Sequence, residues 1–224
     1  MRQGKLIVLE GIDGSGKSTQ YRLLTERLRR EGCDFHSIVF PRYKEASSAL
    51  IREYLGGAYG SRPEDVNACA ASAFYTVDRY ASYKQDWGSV YEAGGLILAD
   101  RYTTSNAVHQ GCKVPEAELP AFLDWLYDFE YGRMGLPEPD LVVYLDVDLE
   151  TALRRIRVRA EETHIQADIH EQDDSYLRKC LHTAKLAAEH YHWRCIDCFR
   201  DGKERDALEK HEEIYEAVRE AGVF

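Results

Sequence analysis

The segment Gly11-Ile-Asp-Gly-Ser-Gly-Lys-Ser18 fits the pattern G-x-x-x-x-G-K-[ST], which demands a strand before it, a helix after it and an anion between them. Both flanks comply. Lys5–Glu10 is a short apolar run of strand type, and Tyr21, Leu24 and Leu28 recur at helical spacing over Ser18–Arg30. Average residue usage produces the bare pattern roughly once in a hundred chains of this length, so a chance glycine turn explains it poorly. In such a loop Gly11, Ile12, Asp13, Gly14, Ser15 and Gly16 turn backbone N–H groups toward a β-phosphate, and the helix dipole adds to the same anion. Lys17 then reaches the β- and γ-phosphates, and Ser18 offers its hydroxyl to Mg²⁺ beside ATP. Thr19 either touches the α-phosphate or closes the first helical turn.

Further apolar runs follow at His36–Phe40, Gly95–Ala99 and Leu141–Val147, with a weaker fifth around Ile196. Helical periodicity covers Ser47–Leu55, Asp65–Tyr83, Leu119–Tyr131, Leu149–Arg159, Tyr176–Tyr191 and Arg205–Ala221. Strands that alternate with helices predict an α/β fold: a five-stranded parallel sheet with helices on both faces, in one P-loop NTPase domain. No repeat or linker divides the 224 residues. One segment resists this scheme. Residues 159–174, largely AEETHIQADIHEQDD, are acidic and weakly periodic, and form either a lid over the phosphates or a plain solvated loop.

The formal charge of −10 excludes general nucleic-acid binding, which rests on a surplus of Lys and Arg. The first ten residues lack the apolar core and cleavage site of a secretory signal, and no run of about 18 apolar residues exists to span a bilayer; the expected location is cytoplasmic. Six scattered cysteines, with Cys195 and Cys198 the one close pair, read as reduced thiols and not as a zinc site.

A phosphate loop alone leaves kinase, switch and motor open. Together with FPRY at Phe40–Tyr43, DRYTTSNAVHQ from Asp100 and GLPEPDLVVYLDV from Gly135, the opening LEGIDGSGKSTQ resembles the thymidylate kinase family, over about Lys5–Tyr191. The resemblance implies transfer of the γ-phosphoryl group of MgATP to dTMP by a homodimer. It assigns the 3′-hydroxyl of dTMP to Asp13 and the acceptor phosphate to Arg42 and Arg101, both otherwise readable as surface ion-pair partners. Asp100 becomes a carboxylate near Mg²⁺, or else the partner of a neighbouring Arg. Thymine stacks on Tyr75, with Phe74 as competitor and Phe40 on the far side, while Arg79 and Asn106 read its edge. His109 stands by the sugar, where relatives often carry Tyr.

Transfer to a phosphate needs little proton abstraction, so arginines are sought in place of a base. The family places one in the phosphate loop or the lid. Gly14 occupies the loop position here, which leaves Arg159, then Arg155, as the catalytic candidates beside Lys17 and Arg101. Glu171 matches a lid carboxylate near the metal. Three rival readings remain: a deoxynucleoside kinase, disfavoured by Asp13 and the two acceptor arginines; another nucleoside monophosphate kinase, acting on dUMP or a purine; and a nucleotide-dependent switch, disfavoured by the lack of N-K-x-D.

Overall fold

The structure, a computed structural model, describes residues 4–163 and 174–222. Five parallel strands form one sheet: β1 (Lys5–Glu10), β2 (His36–Val39), β3 (Leu96–Asp100), β4 (Leu141–Asp146) and β5 (Arg194–Asp197), in the order β2-β3-β1-β4-β5. Parallel neighbours require long crossovers, and helices supply them. In chain order these are α1 (Lys17–Arg30), α2 (Ala49–Leu55), α3 (Ala68–Ser82), α4 (Gly88–Glu92), α5 (Thr104–His109), α6 (Leu119–Tyr127), α7 (Leu149–Thr163), α8 (Asp174–His190) and α9 (Ala207–Glu220).

The predicted strands all form, and the long periodic segments are helical to within a few residues. Three features differ from the sequence reading. The helical run through Tyr131 ends at Tyr127 and widens into a π-type turn over Asp128–Arg133, and a second such turn follows α3 over Tyr83–Trp87. A hairpin of β6 (Phe199–Arg200) and β7 (Lys203–Glu204) turns through Asp201 and Gly202, with φ of 51° and 73°. Such left-handed pairs match the twist of a two-residue hairpin.

Leu6, Ile7, Val8 and Leu9 of β1 are fully buried, because helices cover both faces of the central strand. The core runs continuously from Leu24 and Leu28 of α1 through the sheet to Tyr176, Cys180 and Ala184 of α8. All six cysteines are free thiols. No helix among the described residues is long and apolar enough to cross a membrane.

The fold sets up the site through one piece of register. Leu9 pairs with Asp100, and Val39 also pairs with Asp100, so β1, β2 and β3 end together. Their loops therefore leave from one carboxyl edge, the usual ligand edge of an open parallel sheet. The N–H of Phe40 bonds the Asp100 carbonyl at 3.0 Å, and the N–H of Arg101 bonds that of Leu9 at 3.0 Å, which fixes the two loops against the first.

Leu24 anchors α1, and with it the phosphate loop, to the sheet. Leu24→Ala is expected to cost about 2–5 kcal/mol, the usual range for a buried leucine, in urea unfolding; a loss below about 1 kcal/mol would mean that α1 is held by other contacts.

Candidate active site

The phosphate loop runs from β1 into α1 with Gly14 and Gly16 at φ of 78° and 91°. Gly14 has a second constraint, since a Cβ there would lie 2.4 Å from the carbonyl oxygen of Ala152. The loop is thus backed by the first turn of α7. Ser15 Oγ is buried inside it without a partner among the described residues. A buried hydroxyl left unpaired is costly, and an anion seated in the loop would satisfy it.

Lys17 Nζ lies 2.5 Å from Asp100 Oδ1, with both side chains about nine-tenths buried. Burial and nearby Arg101 push the Lys17 pKa down, against the pull of Asp100. The second Asp100 oxygen accepts no hydrogen bond among the described residues. Ser18 and Thr19 are exposed at the start of α1.

Arg101 is the centre of the charge cluster. Its backbone is left-handed, at φ 66°, a conformation that costs a non-glycine residue about 1 kcal/mol or more and persists only where neighbours impose it. The guanidinium donates to Asp13 at 2.7 Å and, at 3.4 Å, to Glu10 and Ser105. Burial alone would raise the Asp13 pKa; the charge of Arg101, aided by His109, Lys17 and Arg159, instead holds it well below the usual carboxylate range. Burial opposes the charge on Arg101 as well, yet Asp13, Glu10 and Asp100 keep it firmly protonated.

Glu10 has no place in the sequence reading, and it ties the site together. Fully buried, its carboxylate accepts from the Gly11 N–H at 2.9 Å and from the hydroxyls of Thr104 and Ser105, both at 2.7 Å. The signal was present: an acid closing a buried strand directly before a phosphate loop needs donors of its own.

His109 Nε2 faces Arg101 Nη1 at 3.4 Å. A guanidinium only donates, so Nε2 accepts, and the proton sits on Nδ1, 3.6 Å from Cys180 Sγ. Burial, then the positive Arg101, pushes the His109 pKa down to about 4. The ring is neutral near pH 7.

The other predicted residues fall into two neighbouring groups. Arg42 is held by Asp78, its Nε 3.3 Å from Oδ1, and donates to Ser47 at 3.0 Å. Arg79 and Asn106 are almost fully buried. Arg79 Nη2 donates to Glu130, its Nε reaches the other Glu130 oxygen at 3.3 Å, and Asn106 Nδ2 donates to Glu130 at 2.9 Å. Phe74 packs on Tyr54 and Tyr59, with centroids 6.4 and 5.8 Å away, whereas Tyr75 is half-buried elsewhere on α3. Phe40 is buried against the Tyr102 ring, 6.0 Å away.

Arg155 Nη1 donates to the Gly14 carbonyl at 2.8 Å, and its Nη2 is paired with Glu204 on the β6–β7 hairpin. Arg159, one turn further along α7, is exposed and within electrostatic range of Asp13. Beside Arg155 opens a cleft of about 510 Å³, lined by Gly16, Thr19, Gln20, Asp206 and Lys210. Glu171 lies outside the described residues, as do His164 and most of the 159–174 segment.

An anion loop, a buried Lys and Arg, and carboxylates converging at the carboxyl edge of a parallel sheet define a P-loop nucleotide kinase. The family model described as thymidylate kinase matches residues 9–205. A thymidylate kinase from Mycobacterium tuberculosis is 32% identical over 193 residues, covering 82% of this chain and 86% of that protein. The Homo sapiens thymidylate kinase is 31% identical over 154 residues, covering 69% and 66%. The solved thymidylate kinase of Candida albicans, at 21% identity, superposes with a TM-score of 0.67 over 99% of this chain and 93% of that one. The chain belongs to the thymidylate kinase family.

The neutral His109 gives stability a pH dependence. Its folded pKa of about 4 lies below the ordinary 6.5, so the unfolded chain binds more protons between those values and stability falls as pH drops through that window. The full loss is about 3 kcal/mol. Asp13 contributes only at lower pH, below its ordinary 3.8. His109→Gln is expected to flatten the wild-type decline between pH 6.5 and 4.5 in chemical denaturation; an unchanged slope would show that this imidazole does not carry it.

Proposed function

We propose that the chain transfers the γ-phosphoryl group of MgATP to the phosphate of dTMP, giving dTDP and ADP. The observation that carries this reading is the Asp13–Arg101 pair, 2.7 Å apart beside the phosphate loop. Arg101 supplies a guanidinium for an acceptor phosphate, and Asp13 an ionised acceptor for a sugar hydroxyl. An acceptor that brings its own anionic oxygen needs no general base; of the two groups that flank Arg101, Asp13 is ionised too readily for that role and His109 accepts a proton too weakly.

In this reading the triphosphate lies along Gly11–Thr19, with Ser15 Oγ, the loop N–H groups and Lys17 as donors. The adenosine occupies the cleft beside Arg155. Mg²⁺ fits the oxygen set of Ser18 and Asp100. Among the described residues no group of three potential ligands exists, which suits a cation that takes few protein ligands and completes its shell with water and phosphate. Bound there, the ion neutralises charge on the triphosphate. Lys17 turns from Asp100 toward the phosphates. Arg155 braces the loop through Gly14, and Arg159 approaches the bridging oxygen from the root of the lid; Glu171 joins the metal side. The acceptor phosphate is held by Arg101 and Arg42, the sugar by Asp13 and His109, and thymine by Tyr75, Phe40, Arg79 and Asn106.

We assign the active form to a homodimer located in the cytoplasm. Leu50 on α2 and Val77 and Tyr80 on the adjoining α3 leave apolar surface uncovered, which suits a two-fold contact.

An assay of ADP release from MgATP, run with dTMP, dUMP, dCMP, dGMP and free thymidine, tests the reading directly. The expected order places dTMP first and thymidine inactive; phosphorylation of thymidine alone would make the chain a deoxynucleoside kinase and void the roles of Arg42 and Arg101. Within the same assay Arg159→Ala is expected to lower kcat by about a hundredfold, since it removes a charge felt mainly in the transition state, and to leave the KM for ATP nearly unchanged. Turnover equal to wild type would take Arg159 out of the mechanism.

A further inference from the structure

Against α3 and α5 lies a carboxylate that the reading above does not use. Glu130 sits in the π-type turn after α6, completely buried. Such turns widen a helix locally and re-aim a side chain. Its Oε1 accepts from Thr76 Oγ1 at 2.9 Å, from Asn106 Nδ2 at 2.9 Å and from Arg79 Nη2; its Oε2 accepts from Arg79 Nε at 3.3 Å. The two side chains expected to read the base edge therefore share one acid, delivered from a different part of the chain.

The consequence for Asn106 is geometric. Its two amide hydrogens go to Glu130 and to the carbonyl of Ser72, the latter at 3.2 Å. Turning the amide over would set its oxygen against a carboxylate and a carbonyl. The orientation is locked, and Oδ1 is left as the one atom of that amide without a donor among the described residues. Arg79 is locked in the same way: Nε and one N–H of Nη2 face Glu130, the other N–H of Nη2 is directed at Thr76 Oγ1 at 3.5 Å, one N–H of Nη1 goes to the Tyr102 carbonyl at 3.3 Å, and one N–H of the five remains.

The geometry points to Glu130 as a positioning residue for base selection: it fixes Asn106 to present only an acceptor and aims the remaining N–H of Arg79 beside it, the pattern that takes the N3–H and O4 of thymine or uracil and refuses cytosine. Cytosine carries an acceptor at N3 and a donor at N4, so both contacts become repulsive. A site of fixed polarity rejects the wrong hydrogen-bond pattern far more strongly than a missing methyl group. The part of thymine-over-cytosine discrimination that Asn106 supplies then depends on Glu130, while the choice between thymine and uracil does not. This inference rests on the assignment of dTMP as the acceptor, with its base at Arg79 and Asn106.

Three measurements test it. First, wild-type enzyme is titrated with dTMP, dUMP and N3-methyl-dTMP. The expected result is binding of dUMP and at least a tenfold weaker affinity for the N3-methyl analogue, which has lost its donor; equal affinity of dTMP and its N3-methyl analogue overturns the locked acceptor. Second, Glu130→Gln presents an amide N–H₂ where an acceptor stood, and lets Asn106 turn over. The expected result is a KM for dTMP raised at least tenfold, a kcat within about threefold of wild type, an unchanged KM for ATP, and a ratio of kcat/KM for dTMP over dCMP lowered at least tenfold. Third, Glu130→Asp keeps the charge but withdraws it by one methylene, and is expected to fall between the other two enzymes in that ratio. A merely structural acid would lower the melting temperature and the yield of active enzyme without moving the base ratio; a wild-type ratio in either variant overturns the inference. Should wild-type enzyme itself fail to phosphorylate dTMP, the functional reading falls, a result distinct from an active enzyme whose base ratio ignores Glu130.

Discussion

The contact of Arg101 with Asp13 and Glu10 is the interaction on which the rest of the site depends. It joins the end of β3 to the start and the middle of the loop between β1 and α1, and Arg101 keeps a left-handed backbone conformation there. Removing either carboxylate would leave a buried cation poorly compensated, a situation usually more costly than the pair is worth. Strain kept at one residue by several partners is the form in which a fold stores a prearranged binding geometry. The sheet order makes the contact possible, since only a strand lying directly beside β1 brings its carboxyl end within reach of the phosphate loop.

A second support comes from the far end of the chain. The β6–β7 hairpin carries Glu204 to Arg155, and Arg155 in turn reaches the Gly14 carbonyl. The root of α7 is thereby fastened to the phosphate loop from both sides, by Ala152 packed under Gly14 and by Arg155 above it. Arg155 suits the role of brace better than that of mobile catalyst; Arg159 lies one turn further out, within electrostatic range of Asp13.

The sheet and its order of helices were legible because apolar runs and helical periodicity are local signals, and the phosphate loop fixed where the ligand edge must be. The hairpin at Asp201-Gly202 was not read from the sequence: the dipeptide favours such a turn, but its flanking strands of two residues each carry too little pattern to be noticed. The wide turn at Asp128–Arg133 was not read either, since nothing in DFEYGR interrupts helical periodicity; it forms where tertiary packing draws Glu130 inward. Glu10 and Glu130 share the same obscurity. Each is an acid in an apolar stretch, and its meaning depends on hydroxyls, amides and guanidinium groups that arrive from elsewhere in the chain. The resemblance to a family supplied Arg79 and Asn106 as residues, but not the acid that orients them.

These observations share one electrostatic pattern. Lys17 rests on Asp100, Arg42 on Asp78, Arg79 on Glu130, Arg101 on Asp13 and Glu10, and Arg155 on Glu204. A chain of formal charge −10 would repel a polyphosphate if its few cations were scattered, and isolated cations packed into a cleft would repel one another. Pairing each with a carboxylate lets the basic side chains sit close together before any ligand arrives. In the proposed reading, phosphate binding is an exchange of partners for Lys17, which would turn from Asp100 to a phosphate oxygen, while Arg101 would keep its carboxylates and offer a free edge of the guanidinium. Asp100 would then be available to a divalent cation. The ligand thus meets groups already positioned, and the net affinity stays moderate because the new contact of Lys17 replaces an old one, as befits an enzyme that must let its product go.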